Sequence, residues 1–106
     1  MKIFSTKKPV RKVPVKSHKR LVNAYNEKCF WVHNGPVLSN LRDLGKSLNS
    51  MTDNQFLYHV TLRKNDFAAW VDGVLLDSDC AVKLNKADTR IKAAEAVEKA
   101  LKDYLS

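Results

Sequence analysis

Acidic residues are missing from the first twenty positions of this chain, and other residue types are scarce throughout. Its 106 residues include only three Gly, three Pro and two Cys, Cys29 and Cys80. Two thiols cannot make a disulfide framework, so a reducing intracellular compartment is expected rather than a secreted scaffold. Three glycines build neither a phosphate-binding loop nor a dinucleotide turn, and there is no Gly-x-Ser-x-Gly elbow. No apolar run approaches the roughly 20 residues of a membrane-spanning helix. The opening Met-Lys-Ile-Phe-Ser turns basic without the apolar block of a secretory signal. Low Gly and Pro with 44% hydrophobic residues argue against a wholly disordered chain or a fibrous repeat. One small domain fits the length.

Cations occupy the place of the missing acids. Lys2, Lys7, Lys8, Arg11, Lys12, Lys16, Lys19 and Arg20 all fall within residues 1–20, and residues 21–106 hold 11 basic and 11 acidic side chains. The whole formal charge of +8 therefore sits in the first twenty residues. An ordinary surface mixes its signs. A one-signed segment repels itself and stays extended until a polyanion neutralises it. Pro9 and Pro14 exclude a regular helix and favour a polyproline-like path. Phe4 is the segment's single aromatic, so phosphate contact rather than base stacking is its expected device. Eight phosphate contacts on duplex DNA would give a log–log salt slope of roughly −7, with no base information. A solvated tail, a localisation signal or an anionic membrane surface are the competing readings.

Beyond the arm, Cys29-Phe30-Trp31-Val32 is a compact apolar run, followed by His33-Asn34-Gly35-Pro36. Asn-Gly is a strong hairpin signal because both residues tolerate positive φ, and Pro36 confines the returning strand to an edge. From Ser39 the apolar period becomes helical, with Leu41, Leu44 and Leu48 behind a cap at Ser39 or Asn40. Thr52 and Gln55 form a capping box opening a helix with Phe56, Leu57 and Val60. Asn65 caps a helix over Asp66 to Leu76, with Phe67, Trp70, Val71, Val74 and Leu75 on one stripe. Asp77 or Ser78 caps a short helix through Leu84. Asp88 or Thr89 starts the last helix, with Ile91, Ala94, Val97, Leu101 and Tyr104 inward. The fold class is α+β, mainly α: about four helices packed with a short β-hairpin over residues 21–106, preceded by a disordered basic arm over residues 1–20. Phe30, Trp31, Phe56, Phe67 and Trp70 are the expected aromatic centre.

Catalytic and metal signals are weak. Cys29 and His33 form one loose pair, with His59 and Cys80 as distant partners, whereas zinc sites carry paired short spacings. Asp72, Asp77 and Asp79 cluster at a helix end, where capping explains them better than a calcium loop. His59 stands one turn before Arg63, beside the Asn65-Asp66-Phe67 junction. Its expected task is to bond a backbone carbonyl or the Asn side chain and fix that corner. Arg63 and Lys64 at the corner, and Lys92, Lys99 and Lys102 along the last helix, are further phosphate-contact candidates. For the helix, interleaved Glu95 and Glu98 make a solvated face the stronger reading. No cofactor, metal or catalytic residue is expected.

Cys29-Phe30-Trp31-Val32 with Gly35, Leu38, Leu41 and Leu44, then Phe56 and His59-Val60, then Lys64-Asn65-Asp66-Phe67 and Trp70-Val71, resembles a small conserved domain of unknown function. That domain occurs in archaea, bacteria and large DNA viruses. The resemblance spans roughly residues 28–87, and Lys64-Asn65-Asp66-Phe67-Ala68-Ala69-Trp70 is its most specific run. It implies a small, largely helical domain without an established enzyme activity. By composition, the basic arm resembles the tails of DNA-compacting virion and chromatin proteins. The expectation is a non-enzymatic, sequence-nonspecific DNA-binding protein that helps compact a genome, located in a virion, nucleoid or nucleus. Duplex DNA is its expected partner through the phosphate backbone, with RNA and self-association as further candidates and no membrane. The alternative is a protein-interaction or ribosome-associated module whose tail is only an anchor or address.

Overall fold

The computed structural model describes residues 19–104. The expected extended arm lies outside the described residues, apart from Lys19 and Arg20. The described chain is mainly helical, with five α-helices and one two-stranded hairpin. Strand β1 (Phe30–Trp31) pairs antiparallel with β2 (Val37–Leu38), in the register Phe30 to Leu38 and Trp31 to Val37. The helices are α1 (Leu41–Ser50), α2 (Asp53–His59), α3 (Asp66–Gly73), α4 (Ser78–Lys86) and α5 (Arg90–Leu101). A 3₁₀ turn, Asn26–Lys28, leads into β1. The short helix expected behind Asp77 forms as α4 and packs against both α3 and α5.

Every α-helix begins at a side-chain cap. Asn40, Thr52, Asn65, Asp77 and Thr89 each accept a backbone N–H from the first turn of the helix they open. The Thr52–Gln55 capping box forms as expected. Helix α3 ends at Gly73, short of the expected Leu76. Leu76 instead adopts a left-handed φ of 62°, and the Asp77 N–H reaches back to the Val71 carbonyl at 3.0 Å. The bond closes a turn over six residues, and its left-handed position is one usually given to glycine. Leu76 is also largely exposed, so its side chain contributes little burial. Leu76→Gly should therefore stabilise the domain by about 0.5–1 kcal/mol. A thermal melt would read this as a Tm several degrees higher, and a lower Tm would mean that the leucine makes a stabilising contact.

The aromatic centre is Phe30, Phe56, Phe67 and Trp70. Phe30 stacks on Phe67 at 4.9 Å between centroids and meets Trp70 edge-on at 5.6 Å. The Trp70 indole N–H donates to the Lys28 carbonyl at 2.8 Å, so the polar end of the ring is satisfied inside. Trp31, expected in this centre, is 67% exposed. The strand explains the correction: neighbouring side chains point to opposite faces, and Phe30 takes the inward one. Ile91 is likewise exposed rather than inward, while Ala93, Ala94 and Val97 carry the buried face of α5.

The hairpin turn also differs in detail from expectation. Asn34 takes positive φ, at 53°, and Gly35 does not. Gly35 is needed for space, because a Cβ there would lie 2.9 Å from Val32 Cγ1 and 3.0 Å from Gln55 Nε2. Small size at this position lets α2 reach the hairpin tip.

Candidate nucleic-acid interface

Lys2, Lys7, Lys8, Arg11, Lys12 and Lys16 lie outside the described residues. Lys19 belongs to the folded domain. Its N–H donates to the Asp103 carbonyl at 3.1 Å, and its ammonium lies 3.2 Å from Asp77 Oδ1 and 3.9 Å from Asp79 Oδ2. Sequence segregation groups Lys19 with the free arm cations, whereas its charge is already shared with two acids. Arg20 is exposed and has no ion-pair partner among the described residues.

Arg63 and Lys64 stand in the turn between α2 and α3, where the Thr61 N–H donates to the Lys64 carbonyl at 2.9 Å. Both are exposed. Lys64 pairs with Asp66 Oδ2 at 3.1 Å and lies 5.6 Å from the Tyr58 ring centroid. Lys92 pairs with Asp88 at 3.1 Å, one turn earlier, and Lys102 is the C-cap residue beyond α5. Lys99 occupies the last turn of α5, a position that suits the helix dipole.

His59 fixes the α2–α3 corner, as expected, but with other partners. Buried at 5% exposure, it accepts the His33 backbone N–H at Nε2 (3.0 Å) and meets Asp66 Oδ2 through Nδ1 (3.0 Å). A backbone N–H only donates, so Nε2 is the acceptor and Nδ1 carries the proton towards the carboxylate. One imidazole thereby ties the hairpin tip to the start of α3. Gln55 adds a second tie. Its Oε1 accepts the Thr52 N–H at 2.8 Å, completing the cap, while its Nε2 donates to the carbonyls of His33 and Asn34 at 3.0 and 3.1 Å. Sequence reasoning found the cap and missed the tie, which spans more than twenty residues and has no local signal.

Asp77 is the second polar centre, and sequence reasoning treated it only as a cap. Its Oδ1 accepts the Cys80 N–H and the Lys19 ammonium, and its Oδ2 accepts the Tyr104 hydroxyl at 2.6 Å. Burial alone would raise this carboxyl. The hydrogen bonds from Tyr104, Cys80 and Lys19, with the Lys19 charge, outweigh burial and hold it below the usual carboxylate range. The same surroundings act oppositely on the neighbours. Burial first, then the Asp77 charge, pushes the Cys80 thiol up to about 12. Burial and the bond to Asp77 lift the Tyr104 hydroxyl above the ordinary phenol range. Cys80 is thus an inert, buried thiol.

Among the described residues no three His, Cys, Asp or Glu side chains converge to hold a metal ion. Cys29 instead lies 3.5 Å from the Ala24 carbonyl, and both ring nitrogens of His59 are engaged within the protein. No helix among the described residues is long and apolar enough to cross a membrane. No family model, curated protein or solved structure matches this chain, so its functional reading rests on its own residues.

Proposed function

We propose that this is a non-enzymatic, sequence-nonspecific DNA-binding protein that neutralises phosphates and helps compact or package a genome. The observation that carries the reading is the segregation of charge. Residues 1–18 hold six cations and no acid, while residues 19–104 hold 13 basic and 11 acidic residues. Within that near-balanced domain several cations are already paired: Lys19 with Asp77, Lys64 with Asp66, Arg90 with Asp53 and Lys92 with Asp88. A segment without internal counter-charge releases the condensed counterions of a polyphosphate when it binds, and reads no base in doing so. The domain adds mass and spacing, and presents Arg63 and Lys64 as a second phosphate contact.

The competing reading, a protein-interaction module, draws on exposed rings. Trp31 and Tyr58 are exposed, but Trp70, which would complete such a groove, is buried. Salt titration of duplex binding by the whole chain and by residues 19–106 discriminates the two. Under the nucleic-acid reading the affinities diverge steeply at low salt. Equal affinities, or capture of a protein by a whole chain that ignores DNA at about 100 mM salt, overturn it.

A further inference from the structure

His33 and Tyr58 form an exposed stack at the hairpin tip. Their ring centroids are 3.9 Å apart and their planes are within 5° of parallel. Exposed rings usually keep several rotamers open, but this pair is held from behind. The His33 N–H is bonded to His59, its carbonyl to Gln55, and its ring Nε2 lies 3.3 Å from Asn34 Nδ2. Tyr58 in turn sits edge-on against the buried His59 ring at 5.0 Å. The pair is therefore braced by the folded hairpin and by His59, which lowers the ordering cost of presenting two rings.

An open hollow of ≈ 630 Å³ adjoins the stack, lined by His33, Asn34, Thr52, Asn54, Leu57 and Tyr58 among others. Its aromatic wall is accompanied by the side-chain amides of Asn34 and Asn54, which can both donate and accept. Lys64 Nζ lies over the Tyr58 ring, 5.6 Å from its centroid, so the open ring face of the stack is that of His33, and exposed Arg63 precedes Lys64 in the same turn. One ammonium N–H of Lys64 is directed to Asp66, leaving two donors free. The Asp66 oxygen that takes this bond also meets His59, so its charge is compensated from two sides.

We propose that the His33–Tyr58 stack is a docking platform for an unpaired nucleobase, with Lys64 and Arg63 receiving the adjoining phosphate. The inference rests on the nucleic-acid reading above and specifies what the domain itself recognises. Flat rings, amides and cations on one braced surface match a nucleotide's base face, base edge and phosphate together. A base inside a duplex has no free face to offer, so the platform favours single strands, whereas the cationic N-terminal segment is indifferent to strandedness.

The test uses the full chain with a fluorescent oligo(dT) strand and a duplex of equal length, at about 150 mM salt. Tyr58→Ala should weaken single-strand binding by about tenfold, leave duplex binding within about twofold, and leave the salt slope unchanged. Tyr58→Phe should keep parental affinity, and His33→Ala should weaken single-strand binding in the same sense. Near-UV circular dichroism of the buried Trp70 reports whether each variant is folded. If Tyr58→Ala and His33→Ala, both folded, bind oligo(dT) like the parent while the parent binds both nucleic acids, the platform is overturned. The phosphate reading then survives. If the parent binds neither nucleic acid even at about 50 mM salt, both readings fall.

Discussion

Removing residues 1–18 is expected to weaken duplex binding by at least about a thousandfold at ~50 mM salt. Six cations on six phosphates contribute a log–log slope of roughly −5. Between about 50 and 200 mM, a slope of that size changes affinity by about 10³, so the gap between the truncated and full chains should narrow by about that factor over that interval. The truncation keeps Lys19, because Lys19 is bonded to Asp77 and its loss would disturb the fold as well as the charge. Arg20, Arg63 and Lys64 remain in the shortened chain, which should retain weak binding with a shallow slope. Electrophoretic mobility shift or fluorescence anisotropy across a salt series reads both quantities.

Replacing Asp77 by alanine is expected to cost about 2–4 kcal/mol. The loss of the α4 cap contributes about 1 kcal/mol. Stranding the buried Tyr104 hydroxyl contributes about 1–3 kcal/mol. The half-exposed Lys19 loses its partner but can return to water, so its share is small. For a domain of this size each kcal/mol moves Tm by about 4–8 °C, so the melt should shift by roughly 10 °C or more.

The pH profile carries the same signature. The native Asp77 carboxyl is held below its ordinary value, so its contribution is present above the unfolded pKa of about 3.9. It is lost as pH falls through the lower native value. Cys80 and Tyr104 are shifted upward. Their contribution is present at neutral pH and is lost on the alkaline side, beginning as the unfolded thiol titrates near about 8.5. Denaturant midpoints measured from pH 2 to pH 10 should show both flanks. Asp77→Asn should flatten the acid one, and an unaltered acid flank would contradict the assignment.

What the sequence made legible was local. Asn65 and the Thr52–Gln55 box were readable because a cap acts over three residues, and the apolar periods of α1 and α3 are carried within single helices. Trp31 misled because apolar character outweighed the alternation of its own strand. The polar centres were not readable for a different reason. The His33–Tyr58 stack joins residues 25 apart in sequence, and the Tyr104–Asp77 bond joins residues 27 apart. No spacing rule connects such pairs before the fold exists. His59 stands between these cases: its place at a corner was legible, and its partners were not. Lys19 shows the limit of counting charge, since a cation inside a one-signed run is nevertheless paired with Asp77.

The central claim is that the N-terminal cations act as interchangeable phosphate neutralisers. It is tested most directly by changing Lys2, Lys7, Lys8, Arg11, Lys12 and Lys16 to glutamine, singly and in growing sets, and measuring the salt slope of duplex binding for each. The slope should shrink by about 0.9 for every cation removed, whichever position is chosen. A slope that does not change, or one that collapses on the loss of a single residue, would contradict it.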